Sequence, residues 1–197
     1  TYSRLGYDEY KKFINDSIAN KTIDKLKLQD NYFEIFGNFW IIDKYICQSG
    51  QLTEDTTPNT KEAYEECIKN NYAISIPLQI LDDGNIVCFS HKNLSKVIDT
   101  MSGYLNNLTI DEVKAIDLGN KNTILTLDEA LELIAGRTEI ILEINNEGSI
   151  GKFEQKVIGA VQNYIGKYDC YNSIAIMAIN PYTLEYVFEL CPYITRI

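Results

Sequence analysis

Two periods of hydrophobic residues run through the chain, and the shorter one is clearest just before Asp83-Gly84. There, isoleucine and leucine alternate with Ser75, Pro77 and Gln79. A period of two is typical of a strand that buries one set of its side chains. A second apolar run begins at Ile86, and Asp-Gly between two such runs indicates a hairpin or a tight turn. We therefore predict two strands joined by this turn.

Strand and helix patterns alternate along most of the remaining chain. Further strands are predicted over residues 45–47, 140–144, 173–179 and 193–197. Helices are predicted where apolar residues recur three and four apart behind capping residues, over residues 59–69, 109–116, 126–135, 153–166 and 181–190. Asn59 has capping-box spacing to Glu62 and is interpreted as the cap of its helix. Thr109 and Thr126 have the same spacing to Glu112 and Glu129, and Asn180 before Pro181 is predicted to cap the last helix. Residues 93–108 have no clean period and are predicted to form a long excursion.

The N-terminal residues have a different pattern. Residues 1–30 are predicted to be helical, and a hairpin is predicted around Gly37-Asn38. We divide the chain into an N-terminal helical and hairpin arm, residues 1–44, and a second domain, residues 45–197. No chemical role is assigned to the arm.

The order of strands and helices in the second domain predicts a mostly parallel sheet with right-handed crossovers. A doubly wound sheet and a (β/α) barrel both fit this order. No glycine-rich phosphate loop follows the first predicted strand, which weakens a dinucleotide-binding interpretation. About six strands can be counted up to Ile197.

Composition excludes several classes of protein. The 197 residues carry a formal charge of −10, so no basic stripe is available to neutralise nucleic-acid phosphates. No apolar run approaches the ~20 residues that span a bilayer. The five cysteines are odd in number, widely spaced and mostly inside apolar runs. They are interpreted as buried free thiols in a reducing compartment, and we expect a cytoplasmic protein.

The chain contains a single histidine, His91. Mechanisms that need one imidazole as general acid and another as general base therefore cannot operate within this chain.

A set of short motifs, taken in order from about Tyr45 to Ile197, resembles the glycerophosphodiester phosphodiesterase family, relatives of the phosphatidylinositol phospholipase C barrels. The matching pieces are Gln48-Ser49-Gly50, Pro58-Asn59-Thr60, Asp83-Gly84, Val87-Cys-Phe89, Leu94, Leu127-Asp-Glu129-Ala-Leu131 and Leu142-Glu-Ile144. Each piece is weak alone, but their order and spacing are specific. The resemblance covers roughly three quarters of the sequence.

This resemblance implies a (β/α)₈ barrel with its site at the C-terminal ends of the strands. In such a barrel, the turn at Asp83-Gly84 is expected to join the second and third barrel strands in place of a full helix. It also implies the family's chemistry. In the family, a His-Arg-Gly triplet ends the first strand, a Glu-x-Asp pair and a later Glu hold Ca²⁺ or Mg²⁺, and a second histidine follows. The reaction releases an alcohol from a glycerophosphodiester.

Most of that equipment is replaced in this sequence. Gln48 and Ser49 stand where the family has the first histidine and the arginine. Ser75 and Pro77 replace the Glu-x-Asp pair, and Ser90 replaces the second histidine.

Among the family's charged site residues, only Glu143 is retained, while Asn145 stands in place of a lysine. We therefore expect no catalytic residue, no bound metal and no cofactor. The expected pocket consists of Gln48, Ser49, Ser75, Ser90 and Glu143. His91 lies one residue beyond the matching position and is expected to be a partly solvated loop residue unless a bulge turns it inward.

These substitutions lead to three hypotheses. The first is a catalytically silent member of the family that binds a small glycerophosphodiester-like or headgroup ligand or acts as a regulatory module. The alternative is an active phosphodiesterase with a re-specified site, and the third is a structural domain without a ligand. Because a barrel closes with eight strands, the barrel is expected to be incomplete in this chain. The same polypeptide or a partner chain would supply the rest.

Overall fold

The computed structural model describes residues 40–50, 56–96, 98, 101–146 and 148–197. The chain divides into two compact units, Thr1–Asp43 and Lys44–Ile197. In the first unit, helix α1 (Trp40–Asp43) is described. The structure has a helix from Trp40 onward where the second strand of the hairpin was predicted, so that part of the prediction is wrong. A run of aromatic and β-branched residues favours a strand only where another strand pairs with it. The rest of the predicted arm lies outside the described residues.

The second unit contains one sheet of six strands. In chain order these are β1 (Ile46–Gln48), β2 (Ala73–Ile80), β3 (Ile86–Cys88), β4 (Ile140–Ile144), β5 (Ile174–Met177) and β6 (Thr195–Arg196). All six strands predicted in the second domain are present. The helices are α2 (Lys61–Lys69), α3 (Ile110–Lys114), α4 (Leu127–Ile134), α5 (Lys152–Tyr168) and α6 (Pro181–Leu190).

Several helix ends follow the predicted capping chemistry. Thr109 and Thr126 form complete capping boxes with Glu112 and Glu129. Asn180 caps α6, with a proline at the start of that helix. Each cap satisfies backbone N–H groups that a helix leaves unpaired at its first turn. The predicted excursion over residues 93–108 contains two 3₁₀ turns, Leu94–Lys96 and Leu105–Asn107.

The strand order distinguishes between the two predicted sheet types. Along the sheet the order is β1-β2-β4-β5-β6, and each of these neighbours is paired in parallel. Successive parallel strands therefore always add on the same side, as in a barrel, without the reversal of order that defines a doubly wound sheet. The fold is a (β/α) barrel with five parallel strands in the described part of the chain.

The hairpin differs from the prediction in one respect. The turn at Asp83-Gly84 was predicted to join the second and third barrel strands, but β3 is antiparallel to β2 and lies off the main strand order. The third barrel strand is β4. Since β4 occupies one edge of β2, β1 and β3 share the other edge, with β1 along Ala73–Ser75 and β3 along Leu78–Ile80.

Because β1 and β3 share one edge of β2, the residues that follow these two strands lie close together. The C-terminal end of β1 and the C-terminal end of β3 run toward each other along that edge, so the residues after Cys47 and after Cys88 meet. Helices cover the outer face of the sheet, so Ile74, Ile76 and Leu142 are fully buried there. The inner face carries Ser75 and, beside β2, the other polar strand residues.

Candidate functional site

The predicted pocket residues lie toward the C-terminal ends of β1 and β4, on β2 between them, and in the turns that follow β1 and β3. Gln48 is in register with Ser75, and Pro77 is in register with Glu143. Because side chains two apart on a strand share a face, these residues all belong to the inner face of the barrel. Parallel barrels carry their active sites at this end.

Ser75 and Glu143 form the central pair of the site. The Ser75 hydroxyl donates a hydrogen bond of 2.5 Å to Oε1 of Glu143. The two residues are only 5% and 7% exposed, so the carboxylate is held in a place with little water. A neutral hydroxyl thus stands beside the only carboxylate of the predicted pocket.

A second group of polar side chains lies where β1 and β3 meet. The hydroxyls of Ser49 and Ser90 are 3.3 Å apart, and Nδ2 of Asn59 donates to the Ser90 hydroxyl at 3.1 Å. The Tyr64 hydroxyl donates to Oδ1 of Asn59 at 3.2 Å. The result is a continuous chain of neutral groups from α2 to the loop after β3.

Backbone contacts hold this second group in place. The Ser49 amide donates to the Ser75 carbonyl, and the Asn59 amide donates to the Ser49 carbonyl, both at 2.7 Å. Ser49 and Gly50 have positive φ angles of 62° and 95°. A Cβ on Gly50 would lie 2.6 Å from Cβ of Ala63, so glycine allows α2 to pack directly on this turn.

Burial strongly disfavours charge around Tyr64. Burial raises the pKa of the Tyr64 phenol well above its usual range, and the nearby thiol of Cys88 and the charge of Glu143 raise it further. Burial also raises the pKa of Cys88 to about 12. Neither group therefore supplies an anion or a nucleophile near neutral pH.

The residues present do not fit the divalent cation that the family uses. Ca²⁺ and Mg²⁺ require several hard oxygen ligands, whereas Ser75 and Pro77 stand where two carboxylates would be needed. No group of three or more metal-ligating side chains occurs among the described residues. Glu143 alone does not make a cation site.

The predicted residues are not all in contact. Ser49, Ser75, Ser90 and Glu143 occupy the two groups described above. Gln48 lies at the predicted place, but its side chain is exposed and makes no hydrogen bond to the other four. His91 is exposed, so no bulge turns it into the site.

Sequence reasoning missed two members of the site. Asn59 was interpreted as the cap of α2, but Thr60 is the cap. Asn59 instead has a φ of 59° and is 98% buried, since only 2% of it is exposed. Tyr64, on α2, was given no role in the sequence analysis. Pro58-Asn59-Thr60 is one of the pieces that resemble the family, and that match is the signal that could have identified Asn59 as a site residue.

Two concave regions of the surface lie elsewhere. One of about 280 Å³ is bounded by Gly84, Thr126 and Lys156, and another of about 630 Å³ is bounded by Lys61 and Glu132. Neither includes a residue of the polar site.

Solved structures with the same architecture are glycerophosphodiester phosphodiesterases. The enzyme from Agrobacterium tumefaciens is 16% identical, with a TM-score of 0.66 over 78% of this chain and 65% of its own. The chain has the fold of a glycerophosphodiester phosphodiesterase. The resemblance predicted from sequence motifs is thus confirmed at the level of the fold.

Two further phosphodiesterase structures show the same match. The one from Parabacteroides distasonis is 17% identical, with a TM-score of 0.66 over 78% of this chain and 63% of its own. A phosphodiesterase from Oleispira antarctica, solved with its product sn-glycerol-3-phosphate, is 22% identical, with a TM-score of 0.65 over 81% of this chain and 66% of its own. The chain therefore spans slightly less than two thirds of their length. No family model and no curated protein matches the sequence.

Proposed function

We propose that this domain is a non-hydrolysing member of the phosphodiesterase fold that binds a small glycerophosphodiester-like or headgroup ligand. The observation that carries the proposal is the identity of the groups at the barrel mouth. Ser49 hydrogen-bonds to Ser90, and Ser75 donates to Glu143. These neutral hydroxyls stand where guanidinium, imidazole and carboxylate groups would be required for the family's reaction.

The size of the lost contributions supports this proposal. A positioned general acid or base contributes about 10²–10⁴-fold to a rate. A metal ion that stabilises phosphoryl charge contributes several kcal/mol more. With both histidines, the arginine and two ligand carboxylates replaced, the remaining Glu143 has no partner with which to lower the barrier.

Hydrolysis of glycerophosphodiesters tests the proposal directly. Purified protein is incubated with glycerophosphocholine or glycerophosphoglycerol and with Ca²⁺ or Mg²⁺, and released alcohol is measured beside an active phosphodiesterase of the same fold. We expect no turnover above the protein-free rate. Metal-dependent turnover that disappears in Glu143→Ala would overturn the proposal in favour of an active enzyme with a re-specified site.

The binding half of the proposal needs its own experiment. Glycerophosphoglycerol and glycerophosphoinositol are titrated into the protein and heat release is followed by calorimetry. We expect saturable binding that Glu143→Ala weakens. A structural domain without a ligand would show no heat with either compound.

The proposal includes a partner for the barrel edge and a compartment. Ile46 and Gln48 on the inner face of β1 are exposed, with Ile46 at 38%, whereas Ser75 on the next strand is buried. Further strands, from the same polypeptide or from a partner chain, would cover this face and complete the barrel. Native mass spectrometry tests the partner.

Free thiols, four of them buried, support a reducing compartment such as the cytoplasm. No helix in the described part of the chain is long and apolar enough to cross a membrane.

A further inference from the structure

Glu143 is buried with only part of its hydrogen-bonding capacity used. The residue is 7% exposed, and Oε1 accepts the Ser75 hydroxyl. Oε2 accepts no hydrogen bond from the described residues, yet it is not among their fully buried atoms that lack a partner. A carboxylate oxygen can accept two or more hydrogen bonds. Because Oε2 is not fully buried, it is accessible to a hydrogen-bond donor from water or from a ligand.

The charge of the site selects against phosphate. No hydrogen bond or ion pair of Ser49, Asn59, Ser75, Ser90 or Glu143 to the rest of the described chain involves a lysine, an arginine or a histidine. Recognition of phosphate relies on such cations or on a bound metal. A phosphate oxygen next to Glu143 would instead bring two negative charges together with nothing to compensate them.

The neighbouring groups favour hydroxyls as the donors. The Ser49 and Ser90 hydroxyls can each donate and accept, as can the amide of Asn59. A vicinal diol has the same dual character, so one ligand hydroxyl can donate to Glu143 while the next exchanges hydrogen bonds with the serines. Organic ammonium ions are usually held against aromatic faces. The cation–aromatic contacts in the described part of the chain, at Tyr168 and Phe188, lie on other helices.

We propose that Glu143 and Ser75, with Ser49 and Ser90 beside them, form a subsite for adjacent hydroxyls of a neutral polyol. This inference rests on the proposed function and adds an orientation to it. The polyol part of the ligand enters the barrel mouth, and any phosphate remains outside in solvent.

The test is a titration of the isotope-labelled protein followed by amide NMR signals. The probes are three neutral polyols (glycerol, myo-inositol and galactose), inorganic phosphate and choline. We expect at least one polyol to shift the signals of Ser75 and Glu143 saturably, while phosphate and choline leave them unchanged. Glu143→Ala should weaken the binding by about tenfold or more, as expected when a hydrogen bond to a charged group is lost.

Two variants keep the test interpretable. Glu143→Gln preserves the shape of the side chain and should also weaken polyol binding, so the test survives if the alanine variant does not fold. Glu189→Ala removes an exposed carboxylate from α6 and should leave polyol binding unchanged.

The alternative outcomes separate this inference from the proposed function. Signal shifts caused by phosphate or choline without any polyol would overturn the subsite, as would binding of glycerophosphoinositol without binding of any polyol. If glycerophosphoinositol binds but no polyol does, the proposed binding function stands. Absence of binding by every probe and by glycerophosphoinositol would overturn both.

Discussion

Asn59 joins two parts of the site that come from distant parts of the chain. Its side-chain nitrogen, Nδ2, donates to the Ser90 hydroxyl after β3, while its side-chain oxygen, Oδ1, accepts from the Tyr64 hydroxyl on α2. The left-handed backbone at this position is one that asparagine tolerates better than most residues. The residue is therefore suited to the position both by its backbone and by its side chain.

Substitution of Asn59 should separate these two contributions. Asn59→Gly keeps the backbone conformation but leaves the buried Tyr64 hydroxyl without its acceptor, so we expect a loss of about 1–3 kcal/mol in the free energy of unfolding. Asn59→Ala should lose about 1 kcal/mol more, because alanine disfavours a positive φ. Urea unfolding measures both values.

A double variant provides the control for Asn59. Adding Tyr64→Phe to Asn59→Gly removes the hydroxyl that was left without a partner, so the double variant should be no less stable than Asn59→Gly alone. Simple addition of the two single losses would contradict the assigned hydrogen bond.

Gly50 is required by packing as well as by its backbone. In Gly50→Ala, the new methyl group would approach Ala63 at 2.6 Å from a backbone with φ of 95°. We expect a loss of about 2–4 kcal/mol in the free energy of unfolding, from conformational strain and overpacking together.

Gly159 offers the matched comparison. It lies within α5, and a Cβ there would meet nothing within 4 Å. Gly159→Ala should stabilise the protein by up to about 1 kcal/mol, because alanine has the higher helix propensity. Equal effects of the two substitutions in chemical denaturation would refute the packing argument for Gly50.

At the scale of elements, α4 shows how local chemistry starts a helix. The Thr126 hydroxyl accepts from the Glu129 amide at 3.1 Å, and the Glu129 carboxylate accepts from the Thr126 amide at 2.8 Å. Hydrogen bonding from Lys114 and Thr126 outweighs desolvation and lowers the pKa of Glu129. The cap thus joins α4 to the helix before it.

Removal of this cap should have a measurable but limited effect. Thr126→Ala should cost about 1 kcal/mol in the free energy of unfolding, because one amide at the start of α4 loses its acceptor. Thr123→Ala, at an exposed position three residues earlier, should change stability by less than about 0.5 kcal/mol. Thermal or urea unfolding of both variants gives the comparison.

Sequence patterns predicted elements well where the information is local. Capping boxes at Thr109 and Thr126 and the alternation in β2 identified those elements from neighbouring residues. The hairpin at Asp83-Gly84 was indicated locally, but the place of β3 outside the main strand order could not be predicted in this way, because it depends on which edge of β2 the strand β4 occupies. That pairing joins Leu78 to Ile144, far apart in sequence.

The site followed the same division. The motif resemblance placed Ser49, Ser75, Ser90 and Glu143 in the barrel mouth, and the structure brings Ser75 to Glu143 and Ser49 to Ser90. The role of Asn59 depended on its φ angle and on the approach of β1 to β3. No local pattern reports either of these.

At the scale of the whole molecule, β1 and β6 are the two outer strands of the sheet in the described part of the chain. Central strands are buried on both sides, whereas Ile46 on β1 and Ile197 beyond β6 are partly exposed. Unpaired strand edges are places where further strands can add. The proposed completion of the barrel therefore belongs at this scale, and the polar mouth between β1, β2 and β4 does not depend on it.

The buried thiol of Cys88 and the buried phenol of Tyr64 should make the stability of the whole molecule depend on pH above neutrality. The pKa of Cys88 rises from its ordinary value of 9.0 to about 12 in the folded protein, and that of Tyr64 rises well above 10.0. At a pH above the ordinary pKa of each group but below its pKa in the folded protein, the unfolded chain has released a proton that the folded chain retains. Stability is therefore fully present below about pH 9 and falls as the pH rises toward 12, by up to about 1.4 kcal/mol per pH unit for each group.

Urea unfolding at half-unit steps from pH 8 to pH 11 measures this slope, and Cys88→Ala identifies its origin. The variant should be somewhat less stable at pH 8, since a buried side chain is shortened. Its stability should nevertheless decline less steeply above pH 9, because one of the retained protons is gone. Cys47→Ala, which removes a less buried thiol, serves as the comparison. If Cys88→Ala kept the full slope, the decline would have to come from other groups, and the assignment of Cys88 as a buried neutral thiol beside Tyr64 would be wrong.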